Sequence, residues 1–273
     1  MILSGCRSAV DTLAPRLGRL YRLSRDATSR RRSIATRYGF TLAGDPAMAR
    51  EGWEADEIAA FLGLIETHDA VIDVGANVGF YACLAASRGK HTIAVEPSAR
   101  NLRFLYRNLC ENSFLNVEVF PLGLAAACGL KRLYGYGGIA SFVPGWAQAR
   151  EAQSMLTPVS TLDTIAAGRF SGRRLLIKMD VEGFELEILG GADAILGRIP
   201  KPTWLVEILL RGAIVPGGVG RTFAATFALF FRHGYRARRL DAARTVVEPA
   251  DIDRWVANGE VDGGTHDFLL FAD

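Results

Sequence analysis

Val71-Ile72-Asp73-Val74-Gly75-Ala76-Asn77-Val78-Gly79-Phe80-Tyr81 is the stretch on which the fold turns. The apolar run Ala70–Val74 reads as a short buried strand, two glycines follow, and a helix is expected from about Phe80 to Ser87. Gly75 permits a sharp backbone turn, and Gly79 lets the helix begin close to a ligand or to the strand. Working outward, the alternation repeats. Ile58, Phe61, Leu62 and Ile65 share one helical face upstream. Downstream, His91–Val95 reads as a strand, Leu102, Leu105, Tyr106 and Leu109 mark a helix, and Val117–Pro121 reads as a strand again. Leu175–Met179, Trp204–Ile208 and Phe268–Phe271 are further strands. One helix with Ile188, Ala192, Ile195 and Leu196 inward is expected, and another over Phe223–Phe231. Strands alternating with helices imply parallel pairing through right-handed crossovers, hence a doubly wound α/β sandwich.

Composition agrees. The 273 residues suit one α/β domain with an extension, and 49% hydrophobic with 22% charged residues excludes bulk disorder. No run of 18 apolar residues occurs, which argues against a membrane-spanning helix. Cys6, Cys83, Cys110 and Cys128 lack paired metal spacing and read as reduced thiols in the cytoplasm. The net charge of +3 conceals an asymmetry: residues 1–40 hold nine arginines and two aspartates, so the remainder is mildly acidic. Only four of the 32 basic residues are lysines, and charge alone does not favour a nucleic-acid partner. Val10, Leu13, Ala14, Leu17, Leu20 and Tyr21 recur at helical spacing between arginines. Residues 1–37 therefore read as a basic, partly helical arm that packs on its own domain or lies on a membrane surface or partner. Residues 38–273 form the main domain.

Ligands of open α/β sheets bind beyond the carboxyl ends of the strands. Gly75-x-x-x-Gly79 lacks the middle glycine of the dinucleotide fingerprint. A carboxylate at Asp73 would repel a pyrophosphate but suits a ligand with an ammonium and a sulfonium, which favours S-adenosylmethionine over NAD. Glu96, 21 residues after Gly75, ends the next strand in Ala94-Val95-Glu96-Pro97, where an acidic side chain accepts hydrogen bonds from ribose hydroxyls. The plain alternatives are a turn or cap for Asp73 and a solvated strand end for Glu96.

Lys178-Met179-Asp180-Val181-Glu182-Gly183 carries the remaining chemistry. Alternate strand residues share a face, so Lys178 and Asp180 point one way and Met179 the other. A charged lysine inside Leu175–Met179 must be paired, with Asp180, Glu182 or Glu207 as its neutraliser. Two functions are open: a buried ion pair tying strands together, or an acid/base cluster facing an acceptor hydroxyl. In the second, Asp180 is the base or orienting residue, Glu182 the second candidate and Lys178 their electrostatic partner. Asp180, Glu182 and Glu207 are hard oxygen ligands, but three scattered carboxylates are a weak metal signal and no metal is expected. His68, His91, His233 and His266 read as structural or solvated. Gly135–Ser141 reads equally as a loop over the acceptor, with Tyr136 and Ser141 as contacts, or as a surface hairpin.

Taken in order, Tyr38-Gly39-Phe40, Val71–Tyr81, Glu96-Pro97 with Asn101 and Asn108, Ser160-Thr161-Leu162-Asp163 and Ile177–Glu185 form a pattern. It resembles the FkbM family of S-adenosylmethionine-dependent methyltransferases over roughly residues 38–272. The resemblance implies a Rossmann-like, seven-stranded, mostly parallel sheet with helices on both faces, and methyl transfer to a hydroxyl of a small molecule, sugar or glycoside. Motif and resemblance together give a cofactor set of Asp73, Gly75, Ala76, Asn77, Gly79, Phe80, Glu96, Pro97, Asn101 and Asp180. The competitors are an NAD-linked oxidoreductase of the same fold and a non-catalytic relative that binds S-adenosylmethionine.

Overall fold

The computed structural model describes residues 33–50, 52–135, 137–146, 151, 154–210 and 221–272. The helix expected near residues 10–21 and the contact expected at Tyr136 lie outside the described residues. In chain order the N-terminal part comprises β1 (Ile34–Ala35), β2 (Thr41–Leu42), α1 (Ala55–Ile65), β3 (Ala70–Val74), α2 (Phe80–Ser87), β4 (His91–Val95), α3 (Ala99–Glu111) and β5 (Val117–Phe120). There follow β6 (Gly123–Leu124), β7 (Gly129–Leu133), β8 (Met155–Ser160), α4 (Leu162–Ala166), β9 (Leu175–Met179), α5 (Glu185–Leu189) and α6 (Asp193–Gly197). The chain closes with β10 (Thr203–Glu207), α7 (Arg221–Arg232), β11 (Arg236–Arg239), β12 (Val246–Val247), α8 (Pro249–Asn258) and β13 (Asp267–Phe271).

The main sheet runs β12-β11-β13-β10-β9-β3-β4-β5. From β5 to β10 every pairing is parallel, and β13 enters antiparallel between β10 and β11. The sheet is thus mostly parallel as expected, with the two-residue β12 added beyond seven strands at the β11 edge. The chain order reverses between β3 and β9, and the crevice at such a switch point is where open α/β sheets bind ligands.

β3 and β9 are buried along their whole length because helices cover both faces, as their unbroken apolar runs require. One face packs Ile72, Ile177 and Trp204 against Ile188, Phe227 and Trp255. The other packs Val71, Leu176 and Leu205 against Phe61, Phe80 and Leu105. Each fully buried side chain of this size contributes roughly 1.5–3 kcal/mol.

Three expectations change. The single helix after β9 is two, α5 and α6, separated by a turn at Gly190-Gly191, where a Cβ at residue 191 would fall 2.5 Å from the Ala125 carbonyl oxygen. Gly135–Ser141, read as a loop or hairpin, lies between β7 and β8 of a separate small sheet, β6-β8-β7. β11 and α8 were not expected. β11 reads Arg-Ala-Arg-Arg and has no apolar run, whereas α8 carries a legible start: Pro249 in its first turn and a reciprocal Glu248–Asp251 capping box.

Upstream of α1, β1 and β2 form a hairpin that α3 latches. The Asn108 side chain accepts from Ala43 N at 2.7 Å and donates to the carbonyls of Ala43 at 2.9 Å and Val78 at 2.8 Å. That bond set joins the hairpin's exit to the glycine turn. Among the described residues no helix is long and apolar enough to cross a membrane.

Candidate active site

The tips of β3, β4 and β9 line a cleft. Gly75, Asn77, Glu96, Pro97, Asn101, Asp180 and Glu182 face it, and Gly137–Phe142 contributes to the opposite wall. The turn after β3 explains its glycines. Gly75 has φ 84°, and a Cβ there would fall 2.0 Å from the Asp180 carbonyl oxygen. Gly79 has φ 90°, and its Cβ would strike Leu105. The turn is clamped to β4, since Gly75 N and Ala76 N both donate to Val95 O at 3.0 Å.

Glu96 ends β4 with its carboxylate buried. Oε2 accepts from Asn77 N at 2.8 Å and Oε1 from Ser98 N at 2.7 Å, and the Asn101 side chain bonds to it as well. Burial pushes its carboxyl up to about 8 against those three bonds, which favour the ionised form. Each oxygen keeps accepting capacity for a further donor. Asn101 also donates to Gly137 O at 3.2 Å, so one amide connects this carboxylate to the cleft's far wall.

Asp180 stands at the end of β9, a third exposed, with its Oδ2 3.4 Å from Lys178 Nζ. Lys178 is 3% exposed and does not reach the cleft. Its ammonium lies 3.3 Å from Glu57 Oε1 and 4.5 Å from the centre of the Tyr81 ring. Burial works against its charge, but Glu57, Asp180 and Asp73 outweigh that and hold it well above the usual lysine range. Of the partners expected for Lys178, Asp180 is present at bonding distance. Glu57 of α1 was missed. The signal was there: Glu57 sits four residues before Phe61, on the apolar side of its helix.

Other carboxyls crowd this end of the cleft. Burial, the neighbouring Asp180 charge and a hydrogen bond to Asp180 push the Glu207 carboxyl upward. Burial pushes Glu182 up to about 8, with Asp180 and Glu185 adding to the rise. Glu182 has φ 57°, a left-handed conformation for a non-glycine residue, and its carbonyl accepts from Ser141 Oγ at 2.9 Å. Strained backbone of this kind collects at functional sites.

Asp73 is placed differently from expectation. It is 2% exposed, does not line the cleft and lies across from Lys178 in the β3–β9 register. The odd positions of β3 face α2, so its carboxylate sits beneath the glycine turn, where burial pushes it up to about 7. Ala76, Gly79 and Phe80 likewise shape the turn from behind; Phe80 packs edge-on against Trp53 at 4.9 Å. Of the ten residues expected around the cofactor, Gly75, Asn77, Glu96, Pro97, Asn101 and Asp180 line the cleft, and of the expected catalytic residues Glu182 does so as well. Among the glycine-loop residues, Gly137, Gly138, Ala140 and Ser141 form cleft wall. None of the four histidines lines it; His91, for example, pairs with Glu118 at 3.1 Å.

Comparison with known proteins bears on this arrangement. Among solved structures, methyltransferase FkbM from Methylobacillus flagellatus KT is similar at 18% identity and a TM-score of 0.43, over 75% of this chain and 44% of that one. Aeropyrum pernix fibrillarin, solved with S-adenosyl-L-methionine bound, gives 13% identity and a TM-score of 0.44, over 78% and 73% of the two chains. A curated relative, hexuronic acid methyltransferase AglP of Haloferax volcanii, is 32% identical over 147 residues, covering 50% of this chain. The alignment spans 56% of that relative's length. A family model described as the methyltransferase FkbM domain matches residues 73–237. That span is more than half of the chain and contains the glycine turn, Glu96, Lys178 and Asp180, and the protein therefore belongs to the FkbM methyltransferase family.

Proposed function

We propose that the protein transfers a methyl group from S-adenosylmethionine to a hydroxyl of a small molecule or glycoside. The observation that carries this is Glu96: a buried carboxylate with spare accepting capacity, held at the cleft by two backbone N–H groups. Such a group fits a ribose diol. The rest of the cleft fits the same ligand. The turn at Gly75 and Asn77 brings backbone close, and Asp180 supplies negative charge suited to a cationic ligand. When bound, the cofactor supplies an activated methyl group on a sulfonium.

The chain's own residues have two tasks. Glu96, Asn77 and Asn101 hold the nucleoside end. Asp180 orients the acceptor hydroxyl and takes its proton, while Glu207 and the Lys178 ammonium hold its carboxylate in place. Gly137, Gly138, Ala140, Ser141 and Phe142 border the cleft beside these groups. Most of the rate then comes from positioning, with proton removal as the second contribution. The relative's name, a hexuronic acid methyltransferase, supports a sugar or sugar acid as the acceptor class.

Calorimetric titration with S-adenosylhomocysteine and, separately, NADH tests the cofactor. Saturable binding of the first alone is expected; binding of NADH alone would overturn the reading. Transfer of labelled methyl from S-adenosylmethionine to glucuronic acid, neutral glycosides and other hydroxylated metabolites then tests the acceptor. Cofactor binding without transfer to any of them would point to a non-catalytic binder.

A further inference from the structure

Glu57 lies outside both the cleft and the segment matched by the family, yet it is 6% exposed and ionically engaged. Its Oε1 and the Oδ2 of Asp180 lie 3.3 Å and 3.4 Å from the same Lys178 nitrogen. The Tyr81 ring occupies another side of the ammonium at 4.5 Å. One buried cation is thus shared between two carboxylates, one enclosed and one at the cleft. In a low-dielectric setting the share that each receives matters, because a buried charge left with a single partner binds it more tightly.

Taking Asp180 as the group that meets the acceptor hydroxyl, we infer that Glu57 is a positioning residue that keeps Asp180 proton-accepting by drawing off part of the Lys178 charge. Other charges face the pair from each neighbouring element. Asp73 stands opposite Lys178 on β3, and Glu54 at the start of α1 accepts from the Tyr81 hydroxyl at 2.8 Å. Glu207 of β10 bonds to Asp180, with Asp267 across from it on β13. Glu182 and Glu185 follow Asp180 along the chain. Among the described residues, Glu57 and Asp180 are the carboxylates at ion-pair distance from Lys178. Neutralising Glu57 removes a nearby negative charge and leaves the ammonium to Asp180 alone. Both changes favour the ionised Asp180, which then accepts a proton less readily.

Aspartate-selective 13C labelling reads this without an acceptor. The Asp180 carboxyl resonance is assigned by its loss in Asp180→Asn and titrated in wild type and Glu57→Gln. Its midpoint is expected to fall by about one pH unit in Glu57→Gln. In Glu57→Asp, which keeps the charge but lengthens the tie, it is expected to fall by less. With glucuronic acid as acceptor, Glu57→Gln is expected to lower kcat about threefold, with both KM values unchanged. An unmoved midpoint in folded Glu57→Gln overturns the inference. If that variant does not fold, an unmoved midpoint in Glu57→Asp does so. Normal turnover in Asp180→Asn would instead overturn the proposed chemistry, leaving the charge-sharing measurement to stand or fall by itself.

Discussion

Glu96 Oε2 accepts the backbone N–H of Asn77 at 2.8 Å, so the carboxylate that ends β4 also fixes the turn that follows β3. On the proposed reading, one side chain then serves both ligand recognition and turn geometry. Asn77 has φ 52°, a conformation that needs support in a residue bearing a Cβ.

Replacing Glu96 separates the two tasks. Glu96→Ala should weaken S-adenosylhomocysteine binding by about 1.5–3 kcal/mol, the scale of hydrogen bonds to a charged group. It should also lower the melting temperature, because the Asn77 and Ser98 N–H groups lose their partner. Glu96→Gln keeps one acceptor oxygen and should recover much of the stability but less of the affinity. Calorimetry and thermal melts on the same samples check both; unchanged affinity in folded Glu96→Ala removes this residue from the ribose site.

Burial raises Glu54, Glu96 and Glu182 from 4.5 to about 8. Between those values the folded chain binds more protons at these groups than the unfolded chain does. Their contribution to stability is thus present below about pH 4.5 and lost as pH rises through 8. Melts of the ligand-free protein should show that decline from pH 5 to about 8, with a shallower slope in Glu96→Gln. Ribose hydroxyls favour the ionised Glu96, so S-adenosylhomocysteine should bind tighter as pH rises toward 8, with proton release visible by calorimetry in buffers of different ionisation heat.

Asp180→Asn keeps shape and one oxygen but removes the charge. Turnover should fall about 100-fold or more, the usual worth of a general base, while cofactor affinity changes little. If Asp180 is only half of a structural ion pair, the loss should instead follow a lower melting temperature. Turnover, cofactor affinity and stability measured on one preparation decide between them.

Gly75→Ala places a Cβ 2.0 Å from the Asp180 carbonyl oxygen at φ 84°. Both β3 and β9 tips must shift, and we expect a loss of about 2 kcal/mol or more together with loss of cofactor binding. Gly89→Ala is the control, with φ 73° and no atom within 4 Å of the added carbon. It should cost about 1 kcal/mol and leave binding intact. Equal effects in denaturant melts would show that backbone strain alone, and not the contact with Asp180, demands glycine at residue 75.

The local sequence determined the strands at the heart of the sheet and the motifs at their tips. Ala70–Val74, His91–Val95 and Leu175–Met179 are apolar runs closed by turn residues, a signal that survives without any knowledge of neighbours. Glu96 and Asp180 follow from those strands because each stands one residue past a strand end. Tertiary structure decided the rest. Whether Asp73 faces the ligand or the helix beneath depends on which side of β3 receives α2, and strand periodicity names two faces without saying what covers each. Glu57 reaches Lys178 only because α1 packs over that same face, 121 positions away in the chain. β11 was hidden for the converse reason: its arginines take part in a strand through pairing with β13 and through Arg239 meeting Asp241 at 3.0 Å, and neither contact leaves an apolar pattern. Alternation and burial are local properties, whereas charge pairing in a doubly wound sheet is set by which elements the crossovers bring together.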